Sequence, residues 1–259
     1  MKKPVILITN DDGVMAPGIR HLVQFMLELG EVVVVAPDKP QSGMGHAVTI
    51  VNPLRLERIT VDGGHQEYSC SGTPVDCVKL AVNKVLHRKP DLLVSGINHG
   101  SNASINVIYS GTMSAAIEGA MEGIPSIGFS LLDYRFDADF LSGKRYVQQI
   151  ARTVLKKGLP SGICLNVNIP AVPENEIEGV RVCRQARANW EEEFDHRQDP
   201  RGKDYFWLTG RFSLHENSNE TDEWALENKY VSVVPIQFDF TAHDLLPELQ
   251  KWNLDAEKR

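Results

Sequence analysis

The first apolar segment of the chain is VILIT, Val5 to Thr9, a nearly unbroken run that suits a parallel strand covered on both faces better than a half-exposed one. After a loop containing Pro17, GIRHLVQFMLELG sets Ile19, Leu22, Val23, Met26 and Leu27 on one helical face, and Gly30 reads as its C-terminal cap. EVVVVAPD then predicts a second buried strand. Parallel strands need a crossover helix between them, so the chain opens as a β-α-β unit.

The alternation continues. SGTPVDCVKLAVNKVL starts with Thr73 as N-cap, Pro74 at the first helical position and Asp76 in the first turn, and DLLVSG follows as a strand. GTMSAAIEGAMEG reads as a helix of small residues, SIGFSLL as a strand, Asp139 to Leu159 as a long helix and GICLNVNIP as another strand. This regularity predicts an α/β fold with a doubly wound, mostly parallel sheet, filling residues 1–183. From Arg184 to Asn228 the helical period is lost in a charged and aromatic stretch, which predicts loops and hairpin strands. YVSVVPIQFDF is a strand in which Pro235 marks an edge or a bulge. TAHDLLPELQKW spaces Leu245, Leu246, Leu249 and Trp252 helically and predicts a helix docked on the core or on a partner subunit. Residues 184–259 are therefore expected to form a C-terminal arm of hairpin, strand and helix.

Composition narrows the class. The 259 residues are 42% hydrophobic and 24% charged, enough for one sizeable core. The net charge is -7 and no lysine-arginine cluster matches a run of phosphates, so polymeric nucleic acid is not an expected partner. MKKPVILITN is basic and then apolar, but its apolar part is too short for a signal peptide, and no stretch reaches the roughly 20 apolar residues of a membrane span. Cys70, Cys77, Cys164 and Cys183 form no C-x-x-C pair and read as buried free thiols. A cytoplasmic location is expected.

Candidate chemistry begins where the first strand ends, at Asp11 and Asp12. In open α/β sheets the ligand crevice lies outside the carboxyl ends of the strands. Neighbouring strand residues point to opposite faces, so both carboxylates can serve one site only if the chain turns, which Gly13 permits. Two like charges this close repel, and a hard divalent cation such as Mg²⁺ or Mn²⁺ between them relieves the repulsion. The alternative is a plain turn in which the aspartates cap the next loop and helix. Two further strand tips favour the site: APDKPQSGMGHA carries Ser42, and INHGSNASINVIYSGT carries Asn98, Asn102 and Ser110. Ser110, Gly111 and Thr112 stand just before a helix, where unpaired N–H groups favour an anion such as phosphate, or simply form a cap. His46 and His99 lie in the same loops and could assist proton transfer. The chain has no P-loop, no complete dinucleotide glycine motif, no H-E-x-x-H helix and no G-x-S-x-G elbow.

These motifs occur in an order that resembles the SurE survival-protein phosphatases, a family of metal-dependent 5'/3'-nucleotidases: ILITNDDG, VVAPDKPQSGMGHAVT, SGTPVDCV, LLVSGINHGSN, YSGTMSAAIEG, LNVNIP, FWLTG and YVSVVPIQFDFT. The resemblance implies a Rossmann-like core, with Asp11, Asp12, Ser42 and Asn98 holding one divalent cation per subunit, Mg²⁺ or Mn²⁺. It implies that Asn102 and Ser110 to Thr112 receive the phosphate. It further implies a nucleoside monophosphate substrate and a cytoplasmic homodimer or homotetramer built through the C-terminal arm. The chain departs from the family pattern at Ser104, Asn106 and Met113, where glycine, aspartate and valine are usual, and at Pro40, where asparagine is common. The expected reaction is hydrolysis of a phosphate monoester by metal-activated water, with Asp11 and Asp12 as the candidate catalytic residues. An aspartyl-phosphate route fits less well, because the position two residues after Asp11 is Gly13. A nucleotide or phosphate sensor with weakened catalysis is the alternative.

Overall fold

The computed structural model describes residues 3–59, 64–252 and 254. Eleven strands lie among these residues: β1 Val5–Thr9, β2 Glu31–Pro37, β3 Leu56–Ile59, β4 Gln66–Cys70, β5 Leu92–His99, β6 Ser126–Leu131, β7 Ile163–Ile169, β8 Gly179–Val182, β9 Ala188–Gln198, β10 Asp204–Leu214 and β11 Tyr230–Gln237. The helices are α1 Pro17–Leu27, α2 Pro74–Leu80, α3 Gly111–Met121, α4 Lys144–Lys157, α5 Asp222–Glu227 and α6 Leu246–Leu249. Nine strands form one sheet in the order β3-β4-β2-β1-β5-β6-β7-β11-β8, and β9 pairs with β10 separately. From β4 through β7 every pairing is parallel, while β3 and β11 enter antiparallel to β4 and β7. The fold is α/β and doubly wound, as the alternation predicts.

Every residue of β1 is buried because both faces of the sheet are covered there. Ile6 and Ile8 point into the core under α1 and α4, whereas Val5 and Leu7 join the cluster under α2 and α3. Burying each such side chain contributes about 1.5–3 kcal/mol. The chain passes from β1 to β2 on one side and returns to β5 on the other. The strand order therefore reverses at β1, and a crevice opens outside the carboxyl ends of β1 and β5.

Several expectations need correction. Gly30 is not a left-handed cap: α1 ends at Leu27, and Gly30 is required because a Cβ there would lie 2.4 Å from the carbonyl oxygen of Pro4. The helix expected from Asp139 is regular only from Lys144, after a 3-10 turn at Phe140–Gly143 that Asp139 caps by accepting from the Leu141 N–H. The tail helix is short, and Leu245, Leu246, Leu249 and Trp252 are all exposed rather than docked on this chain's core. Pro235 sits past the reach of β8, which pairs only with Tyr230 to Val233, so one side of β11 is an edge there. β3, β4, β8 and α5 are not legible as elements in the sequence.

Candidate active site

The turn after β1 is built by side chains as much as by backbone. Asn10 Nδ2 donates to Gly13 O at 2.9 Å, Gly13 adopts φ +102°, and the Val14 N–H donates to Pro37 O at the end of β2 at 2.8 Å. A residue with a Cβ rarely adopts that φ. The Gln41 N–H donates to Asp11 O at 2.7 Å, which draws the loop carrying Ser42 toward the first aspartate.

Asp11 is buried against the start of α3. The Thr112 hydroxyl donates to Asp11 Oδ1, and a Cβ on Gly111 would lie 2.7 Å from Asp11 Cβ. Burial first, and then the neighbouring charge of Asp12, push the Asp11 carboxyl up to about 6, while hydrogen bonds from Thr112 act in the other direction. Burial also raises Asp12, against the opposing influence of His99 beside it. Among the described residues Asp12 Oδ2 is buried with no hydrogen-bond partner, and the same holds for His99 Nδ1. A buried carboxylate oxygen without a donor is costly. A divalent cation would satisfy it.

The remaining sequence candidates fall around this turn. Asn98 is the last residue but one of β5, and its Nδ2 donates to the carbonyls of His99 and Gly100 at 3.1 and 3.0 Å, so ligation would fall to its Oδ1. Ser42 is exposed, and no hydrogen bond joins it to either aspartate among the described residues. Among those residues no group of three or more His, Cys, Asp and Glu could hold an ion. A cation here would therefore take the two carboxylates plus the hard oxygens of Ser42, Asn98 and water, a donor set that suits Mg²⁺ or Mn²⁺. Ser110 is the N-cap of α3, its Oγ accepting from the Met113 N–H at 3.0 Å. It is buried with Gly111 and Thr112 at the end of the helix that meets Asp11.

Asn102 is held more firmly than a loop residue needs to be. Its N–H donates to Asn168 Oδ1 at 2.9 Å, its Nδ2 donates to Ser130 Oγ at 2.8 Å, and its carbonyl accepts from Asn166 Nδ2 at 2.8 Å. Asn166 and Asn168 lie outside the sequence candidates, although two asparagines on one face of a buried strand are a readable sign of a polar network. His46 is not at the turn but pairs with Glu118 Oε2 at 3.0 Å, so it fastens the Ser42 loop to α3.

The departures from the usual pattern find places. Ser104 adopts φ +53°, a left-handed conformation that explains glycine as the common residue, and it is held by the Asp222 carboxylate. Asn106 Oδ1 accepts from the Trp190 indole N–H at 2.8 Å. Met113 is fully buried beside Ala116 and Cys164. Nothing in the structure explains Pro40.

Comparison with known proteins gives a consistent picture. A profile described as survival protein SurE matches residues 6–192. A 5'-nucleotidase SurE of Christiangramia forsetii is 62% identical over 256 residues, covering 98% of each chain. A 5'-nucleotidase SurE of Bacteroides thetaiotaomicron is 52% identical over 249 residues, covering 96% of this chain and 95% of that one. The crystal structure of the SurE protein from Aquifex aeolicus superposes with a TM-score of 0.83 at 39% identity, over 95% of this chain and 98% of the other.

Proposed function

The chain belongs to the survival protein SurE family, and from that premise we propose that it is a 5'-nucleotidase: a divalent-metal-dependent phosphomonoesterase that releases phosphate from nucleoside 5'-monophosphates, and from 3'-monophosphates as well. The relatives named above support the 5'-nucleotidase activity. The observation that carries the metal dependence is the pairing of a buried Asp11 with a half-buried Asp12 whose Oδ2 has no hydrogen-bond partner among the described residues.

Asp11, Asp12, Ser42 and Asn98 would hold one Mg²⁺ or Mn²⁺. When bound, the cation supplies positive charge for the phosphoryl group and lowers the pKa of a water. The chain's own groups do the rest. Thr112 orients Asp11 through its hydroxyl, and Asn10 and Gly13 keep the turn that brings the two carboxylates to one side. The N-terminal end of α3 at Ser110 to Thr112 offers partial positive charge to the phosphoryl oxygens. Asn102, held by its bonds to β6 and β7, would receive the phosphate together with Ser110 to Thr112. Assembly as a homodimer or homotetramer through residues 184–259, a nucleoside monophosphate as partner and a cytoplasmic location complete the proposal. Among the described residues no helix is long and apolar enough to cross a membrane.

Phosphate release from AMP, measured with Mg²⁺ or Mn²⁺, tests it. Chelation is expected to abolish release, and Asp11→Asn is expected to lower kcat by about a hundredfold or more. Undiminished turnover in either case would end the metal-dependent reading.

A further inference from the structure

One buried carboxylate of another kind lies apart from the aspartate pair. Asp222 opens α5 and is 1% exposed. Its Oδ2 accepts from the Ser104 N–H at 2.8 Å, and its Oδ1 accepts from the Ala186 and Glu223 N–H groups at 2.9 Å each. Backbone donors from three separate positions of the chain thus satisfy it. Ser104 is itself fully buried at φ +53°, and its hydroxyl donates to Ala186 O at 2.9 Å. A residue with a side chain holds that conformation only when its surroundings impose it.

Ser104 stands at the head of the path to the anion site. The 3-10 turn Ser104–Ile108 leads through Tyr109 to the N-cap Ser110. In front of Ser104, Asn102 is fastened to β6 and β7. Behind it, Asn106 accepts from Trp190 on β9. Ser104 is thus the bend between an anchored start and the helix end, and the residues that hold it, Asp222 and Ala186, both come from the chain beyond residue 183.

We propose that Asp222, assisted by Trp190, is a positioning residue of the phosphate loop: it holds Ser104 in the left-handed conformation and so sets where Ser110 and Gly111 meet the phosphoryl group. The inference rests on the proposed function, since the ligand of that loop is the phosphate of the monoester. A carboxylate is needed because it accepts on both oxygens. Asp222→Asn keeps one acceptor and turns an NH₂ toward a backbone N–H.

Steady-state kinetics with AMP, inhibition by inorganic phosphate and hydrogen–deuterium exchange test the inference. Asp222→Asn is expected to raise KM for AMP and Ki for inorganic phosphate together, by about tenfold, with the Mn²⁺ concentration for half-activation unchanged. Trp190→Phe keeps a ring but removes the indole N–H, and is expected to move both constants the same way by about threefold. Glycine tolerates a positive φ, so adding Ser104→Gly to Asp222→Asn is expected to return KM toward that of the unaltered enzyme. If Asp222→Asn does not fold, Trp190→Phe carries the test.

Exchange is expected to rise in residues 102–112 of Asp222→Asn and to stay unchanged across β1 and β2. A lower Tm with unchanged KM, Ki and loop exchange would overturn the inference, leaving Asp222 a structural residue only. Should the unaltered protein release no phosphate from any monophosphate, the functional reading fails by itself. The positioning role is then decided by exchange: a selective rise in residues 102–112 upholds it and no rise overturns it.

Discussion

Gly111 shows how closely the first residue of α3 approaches the carboxylate it serves. A Cβ added there would lie 2.7 Å from Asp11 Cβ and 2.9 Å from Asp11 Oδ2, so either the helix end or the aspartate must shift. Gly111→Ala is expected to cost about 1–3 kcal/mol of stability, as overpacking does. It should also lower kcat for AMP by about a hundredfold, because small displacements of reacting groups are expensive. Thermal unfolding and steady-state kinetics check both, and an unaltered kcat would show that the approach is not needed for turnover. At this scale the site is partly readable in the sequence. Adjacent aspartates before a glycine, and Ser-Gly-Thr before a helix, announce themselves by residue type and position. The neighbours that tune them do not. Asn166 and Asn168 under Asn102, and Asp222 behind Ser104, are brought together across as many as 118 positions of chain, which no local pattern encodes.

At the scale of elements, α2 is both a helix start and a clamp. The Thr73 side chain accepts from the Asp76 N–H while Asp76 Oδ2 accepts from the Thr73 N–H, a reciprocal capping box with Pro74 at the first position. The same two residues reach the loop after β2: the Thr73 hydroxyl donates to Ala47 O at 2.8 Å, and the Asp76 carboxylate accepts from the Thr49 N–H at 3.1 Å. Thr73→Ala removes the cap and one loop tether together. It is expected to lower stability by about 1–2 kcal/mol and to weaken Mn²⁺ activation, because Ser42 lies on the tethered loop. Denaturant unfolding and metal titration separate the two effects, and full metal affinity with reduced stability would restrict Thr73 to capping. This helix start is plain in the sequence because capping uses a fixed spacing of residue types. β3 and β4 are hidden for the opposite reason: LERI and QEYSC are short, polar and half exposed, so they lack the apolar run that marks the central strands. β11 is recognisable as a strand, but its place between β7 and β8 depends on pairings that only the folded sheet reveals.

For the molecule as a whole, the hairpin of β9 and β10 presents an unbalanced surface. Residues opposite one another in its register are Trp190 with Phe212, Phe194 with Leu208 and His196 with Phe206, all on one face, while Glu191 with Arg211 and Arg197 with Tyr205 lie on the other. The apolar face is bare away from Trp190: Phe194 is 64% exposed and Leu208 62%. A two-stranded ribbon is marginal by itself in water, and its stability depends on something packing against that face. In the homo-oligomer proposed above, a second copy of the chain would supply a complementary ribbon through a two-fold axis, since an isologous interface pairs a patch with itself. Such an assembly would reach the candidate site by a short route, because Trp190 lies on this face and its indole N–H donates to Asn106 in the turn that leads to Ser110. Phe194→Ser together with Leu208→Ser is therefore expected to lower the particle mass in light scattering toward the 28.9 kDa of one chain, or to a smaller assembly, and to raise KM for AMP while leaving the monomer fold intact by circular dichroism. A mass equal to that of the unaltered protein would exclude the hairpin as the interface. A lowered mass with unchanged KM would separate assembly from the phosphate loop and confine the ribbon to holding subunits together.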